Sequence, residues 1–81
     1  MEVLSIMLER ISVILNDIRE EQGESRLEGI TENMSLRKDI GFDSFDLALL
    51  TAKIEDEFDI DVFEHGIIDT VGDILTLVEH K

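Results

Sequence analysis

A chain of 81 residues has room for one domain, residues 1–81, with a modest core and little space for a closed active site. Without cysteine it has no disulfide, thiolate metal site or cysteine nucleophile, and nothing calls for an oxidising compartment. Twenty acidic against 7 basic residues give a formal net charge of −13, which argues against a DNA- or RNA-binding face and favours basic protein partners, although acidity also serves solubility alone. No apolar run approaches the ~20 residues of a membrane helix. Met1 to Ile18 is broken by Glu2, Glu9, Arg10, Asn16 and Asp17, and it lacks the basic start and cleavage site of a signal peptide. The cytoplasm is the expected location. A hydrophobic content of 43% argues against wholesale disorder.

The first predicted element is a helix over residues 2–20. Leu4, Leu8, Ile11, Leu15 and Ile18 recur at steps of three and four, Met7 and Ile14 widen the stripe, and Gly23 ends it. Residues 21–42 have no clean period. Leu27, Ile30, Met34, Leu36, Ile40 and Phe42 stud this stretch, which reads as a long loop anchored to the core, with Gly29 and Gly41 allowing its changes of direction.

A second helix spans 44–58. Asp43 is its N-cap, Asp46 takes the capping-box position, and Leu47, Leu50, Ile54 and Phe58 form its buried stripe. A short, irregular third helix is expected over 62–68, weakened by Gly66. The last helix covers 71–80, capped by Thr70 with Asp73 in the box position, and buries Val71, Ile74, Leu75 and Val78. No stretch alternates long enough for a paired strand, so the fold class is all-α around one core.

Metal and hydrolase chemistry are both disfavoured. The acidic run from Glu55 to Glu64 fails as a calcium loop, because starts at Asp59 or Glu57 leave Phe63, Glu64, Thr70, Val62 or Ile68 at ligand or glycine positions. His65 and His80 form no ligand pattern. Ser44 lies outside a nucleophile elbow and has no histidine near it in sequence.

Ser44 has another use. As the first helical residue behind the Asp43 cap, its hydroxyl faces outward near unpaired N–H groups, where a phosphate would meet the positive end of the helix. Helix-start chemistry alone favours an ordinary first-turn serine over an attachment site. Beside it, Phe45, Leu49, Ala52 and Asp56 step along the face opposite the buried stripe, and Glu55, Asp56 and Glu57 rim the far end. An apolar strip with an acidic rim is the anatomy of a docking site. Phe45, Asp46, Leu49, Ala52, Glu55 and Asp56 are the candidate partner-binding residues.

The residues Ile30-Thr31, Ser35-Leu36, Asp39-Ile40-Gly41-Phe42-Asp43-Ser44-Phe45-Asp46, Glu55-Asp56-Glu57-Phe58-Asp59 and Thr70-Val71-Gly72-Asp73-Ile74 closely resemble the acyl carrier protein family. The pattern runs from Ile30 to Val78. The resemblance implies a small antiparallel four-helix bundle with a long first loop, and a carrier that is not an enzyme. It implies that a phosphopantetheinyl transferase moves 4′-phosphopantetheine from coenzyme A to Ser44, with Asp43 helping to position the metal-bound donor. It implies that the second helix is the recognition surface for acyl-transferring or condensing enzymes with basic docking patches, and that the carrier acts as a monomer without nucleic acid or membrane insertion.

Two residues depart from the family pattern. Phe45 replaces the usual leucine, and Leu49 stands where many fatty-acid carriers have an acidic residue. Both point to a specialised carrier with its own partners. The region from Phe63 to Ile68 also looks shorter than in many relatives. An acyl chain would find space between the second and last helices, with Leu50, Ile54, Ile67, Ile68, Val71 and Leu75 as candidate lining; the same residues equally serve as plain core. The leading function is acyl carriage in fatty acid, polyketide or related lipid biosynthesis. The alternatives are an aminoacyl or peptidyl carrier for nonribosomal synthesis or cell-wall modification, and a cofactor-free acidic interaction module.

Overall fold

The computed structural model describes residues 2–62 and 68–79. Among them are three helices, α1 (Glu2–Glu21), α2 (Ser44–Phe58) and α3 (Val71–Glu79). The helix expected over 62–68 lies outside the described residues except for its ends, Val62 and Ile68, and Ile67, His65 and His80 also lie outside them. At its edges Val62 is buried and Ile68 packs half-buried against the core.

Helix α1 is the element that both other helices pack against. Its apolar stripe buries Ile11, Ile14, Leu15 and Ile18, with Met7 and Leu8 half-buried beside them. Two hydrogen bonds finish it: Gly23 N–H to the Glu20 carbonyl at 3.0 Å and Glu24 N–H to the Arg19 carbonyl at 2.8 Å. With Gly23 at φ 80°, this is a Schellman ending that satisfies carbonyls the helix would otherwise leave open.

The loop over 22–43 is held at every point where the sequence placed an anchor. Ile30, Leu36, Ile40 and Phe42 are buried, and Leu27 and Met34 pack half-buried against the core. Polar groups complete the attachment. The buried Asn16 amide donates to the Leu27 carbonyl at 2.9 Å and accepts from the Leu27 N–H at 2.7 Å, so one side chain closes both backbone groups of a loop residue. Arg19 donates to the Ser25 carbonyl at 2.8 Å and to the Ile40 carbonyl at 2.6 Å, joining the two ends of the loop.

The middle of the loop lies across the start of α3. Ser35 and Thr70 form an isolated antiparallel bridge, flanked by Leu36 N–H to the Asp69 carbonyl at 2.9 Å and Val71 N–H to the Met34 carbonyl at 3.0 Å. Gly72 N–H reaches the Glu32 carbonyl at 2.8 Å, and a Cβ at Gly72 would stand 3.1 Å from that same oxygen. The glycine is thus what lets the loop approach so closely. These bonds use N–H groups that the first turn of α3 cannot pair internally. Thr70 and Asp73 close a capping box there, with Asp73 N–H to Thr70 Oγ1 at 3.1 Å and Thr70 N–H to the Asp73 carboxylate at 2.9 Å.

Buried Leu50, Ile54 and Phe58 carry α2 into the core, with Leu47 half-buried at the edge of the stripe. Helix α3 buries Val71, Ile74, Leu75 and Val78 as its spacing predicts, and Leu77 in addition. At the far end of α2, Arg10 pairs with Glu57 and stacks its guanidinium 4.7 Å from the centre of the Phe58 ring, tying α1 to α2. Among the described residues no helix is long and apolar enough to cross a membrane.

Candidate functional site

Residues 35–42 form a compact turn that delivers the chain into α2. The Ser35 carbonyl accepts from Asp39 N–H at 2.9 Å and Ile40 N–H at 3.0 Å, Ser35 Oγ accepts from Lys38 N–H at 3.1 Å, and the Asp39 carboxylate accepts from Ser35 N–H at 2.7 Å. Phe42 N–H closes back on the Leu36 carbonyl at 2.9 Å. Gly41 then turns the chain at φ 88°, a conformation strained for any residue with a Cβ.

Asp43 follows in extended geometry as the N-cap, and its box with Asp46 is complete. Asp46 N–H donates to Asp43 Oδ1 at 2.9 Å, and Asp43 N–H donates to Asp46 Oδ2 at 3.1 Å. The Asp46 N–H, with further donors at the helix start, holds the Asp43 carboxyl below its ordinary range, so it stays ionised at neutral pH. The box fixes the direction of the next residue. Ser44 is exposed at the first position of α2, with Arg37 Nη2 at 3.4 Å from its Oγ.

The remaining candidates divide. Phe45 is 73% exposed, and Ala52 and Asp56 are exposed along the same helix. Leu49 differs from the wet-face expectation: it packs half-buried against the core. Its place beside Leu50 puts it at the margin of the buried stripe. Asp46 also differs. It is only 7% exposed, because its carboxylate turns inward to the Asp43 N–H instead of facing a partner. Glu55 is half-buried and accepts from Val62 N–H at 3.2 Å, holding the turn after α2.

Of the candidate acyl lining, Leu50, Ile54 and Val71 are fully buried, Leu75 nearly so, and Ile68 half-buried, all in one continuous core. A cleft of about 260 Å³ lies elsewhere, between the end of α1 and the start of α2, lined by residues that include Arg19, Gln22, Gly41, Phe42 and Asp46. Among the described residues no group of three His, Cys, Asp or Glu side chains is placed to hold a metal.

Two contributors carry no signal in the sequence: Asn16, which pairs both backbone groups of Leu27, and Arg37, which reaches Ser44. Residues in an irregular loop share no periodic face, so spacing alone carries no signal that Arg37 and Ser44 meet.

The site offers an exposed hydroxyl, a guanidinium at its oxygen, and two neighbouring carboxylates whose oxygens are engaged by helix-start N–H groups. The family model described as a phosphopantetheine attachment site matches residues 12–80. Among solved structures, a chain from Mycobacterium tuberculosis assigned as an acyl carrier protein is 38% identical and superposes with a TM-score of 0.75, covering 91% of this chain and 96% of that one. The three helices and long α1–α2 loop are therefore the acyl-carrier-like fold, and the chain belongs to the non-catalytic family of carrier proteins that bear 4′-phosphopantetheine.

Proposed function

We propose that Ser44 is the residue that bears the arm, and that the chain, as a single carrier domain, holds acyl intermediates for partner enzymes of fatty acid, polyketide or related lipid biosynthesis. The observation that carries this is the Ser44 hydroxyl, exposed at the first position of α2 behind a complete capping box. In the transfer from coenzyme A, Ser44 Oγ forms the new P–O bond, the pyrophosphate link breaks, the adenosine bisphosphate leaves, and the hydroxyl proton passes to a base on the transferase. When bound, the arm supplies a terminal thiol that holds cargo as a thioester.

The chain's own part is placement. The capping box keeps Ser44 in a fixed first turn, and the Asp43 carboxylate beside it stays charged for the metal-bound donor. Phe45 is the docking anchor, flanked by exposed Ala52 and Asp56 for a partner with a basic patch. Its bulk next to Ser44 supports a specialised set of partners. An acyl chain left in water loses about 0.8 kcal/mol per methylene relative to burial. Opening the core at Leu50, Ile54, Ile68, Val71 and Leu75 would shelter it, with Ile67 as the remaining candidate. The same reading takes the chain as a cytoplasmic monomer, where coenzyme A and a transferase are at hand.

The likeness to a chain assigned as an acyl carrier favours acyl over aminoacyl or peptidyl cargo. Membership of a phosphopantetheine family removes the ground for a cofactor-free module. The test is to incubate the unmodified chain with coenzyme A and a broad-specificity phosphopantetheinyl transferase and weigh it intact. A mass gain of one phosphopantetheine supports the carrier reading, and an unchanged mass contradicts it. Offering the loaded chain to acyl- and aminoacyl-activating enzymes then separates the two cargo classes.

A further inference from the structure

Arg37 brings a guanidinium to 3.4 Å from Ser44 Oγ. That is long for a hydrogen bond to a neutral hydroxyl, so the contact itself contributes little. Its interest lies in how it is held and in what else the guanidinium does not do. Leu36, immediately before it, is fully buried, donates to the Asp69 carbonyl and accepts from Phe42 N–H. Lys38, immediately after it, donates to Ser35 Oγ. The residues on either side of Arg37 are thus held, Leu36 to the segments that lead into α3 and α2, and Lys38 to Ser35 within the turn.

The charge pattern sharpens this. In a chain with 20 acidic residues, Arg10 pairs with Glu57, Lys53 lies 3.8 Å from Glu21, and Arg19 is engaged by two loop carbonyls. Among the described residues Arg37, like Arg26 and Lys38, forms no ion pair with a carboxylate, and what sets it apart is that its guanidinium meets the Ser44 hydroxyl. Arginine's planar fork suits the paired non-bridging oxygens of a phosphate, and charge strengthens that contact well beyond the one to a hydroxyl.

We propose that Arg37 is a positioning residue for the arm: once Ser44 is esterified, its guanidinium binds the non-bridging oxygens of the phosphodiester and holds the first bonds of the arm on the side of the 35–42 turn. This rests on the reading that Ser44 bears the arm. The pair is solvent-exposed, so salt weakens it.

The test uses the full chain loaded from coenzyme A by a broad-specificity transferase, with loading checked by intact mass. Two signals are read at low and high salt: the phosphorus-31 resonance of the arm, and the Arg37 Nε–H resonance before and after loading. The expected result at low salt is a displaced Arg37 Nε–H on loading, together with a phosphorus signal shifted from that of the loaded Arg37→Ala variant. High salt should collapse both differences, Arg37→Lys should retain part of the phosphorus shift, and Lys38→Ala should match the parent chain. An Arg37 Nε–H that does not move on loading, or a phosphorus signal identical in the parent and Arg37→Ala, overturns the proposal. Should Arg37→Ala resist loading, the Arg37 resonance of the parent chain decides alone. An adduct that survives Ser44→Ala is a different result: it sinks the assignment of Ser44 and removes the proposal's premise.

Discussion

Phe45 and Leu49 share one helix but answer to different forces. The Phe45 ring stands largely in water, so Phe45→Ala removes little folded-state contact. Its effect on stability should stay within about 0.5 kcal/mol, as for most surface substitutions. Acyl transfer by a cognate enzyme should nonetheless fall, because a large exposed aromatic is the kind of group that anchors an interface. Thermal unfolding followed by circular dichroism, beside a transfer assay, checks both halves. Leu49→Glu is a different experiment, since Leu49 packs half-buried against the core and a carboxylate there must be desolvated. It should lower the melting temperature as well as transfer. Asn16 is the third telling residue: Asn16→Ala leaves the Leu27 N–H and carbonyl without the amide that pairs them. The expected cost is about 1–3 kcal/mol, read from denaturant unfolding.

At the scale of elements, α2 and α3 begin with the same device. An acidic residue in each capping box, Asp43 for α2 and Asp73 for α3, has its carboxyl held below the ordinary range by N–H donors, chiefly those of Asp46 and Thr70 respectively. A depressed folded-state value adds stability above the unfolded carboxylate value, about 3.9, and loses it as pH falls through the folded value. Helicity should therefore hold from neutral pH down to about 5 and weaken below about 4. Asp43→Asn keeps a capping oxygen, so it should leave the helix in place while flattening part of that acid response. An acid titration of parent and variant by circular dichroism shows whether the box is the source. Both boxes, and the spans of the three helices, were legible because caps and 3.6-residue spacing are local chemistry. The paired bonds between Met34–Leu36 and Asp69–Val71 were not, because contacts between an aperiodic loop and a distant helix start have no local signature.

For the whole molecule, a net charge of −13 on 81 residues is a standing self-repulsion. Added monovalent salt should raise the melting temperature from its low-ionic-strength value, while weakening capture by a basic partner. A scan over salt concentration, with and without partner, reads both trends. Fold class and family were legible in the sequence because the anchors from Leu27 to Phe42 and the run from Gly41 to Asp46 each carry a physical job, and the structure buries the anchors and builds the cap. The electrostatics around Ser44 were less so. In sequence Asp46 is placed as a partner contact, but its carboxylate turns inward to the Asp43 N–H, and the approach of Arg37 to Ser44 depends on the fold of the 35–42 turn.

The most direct measurement is peptide-level localisation of the arm by fragmentation mass spectrometry after loading, run on the parent chain and on Ser44→Ala. Ser5, Ser12, Ser25 and Ser35 serve as internal competitors in the same chain. The expected result is phosphopantetheine on Ser44 alone and an unloaded Ser44→Ala variant that keeps its helical spectrum. Phosphopantetheine on any other serine, or a folded Ser44→Ala chain that still takes up the arm, would contradict the assignment of Ser44 as the attachment point.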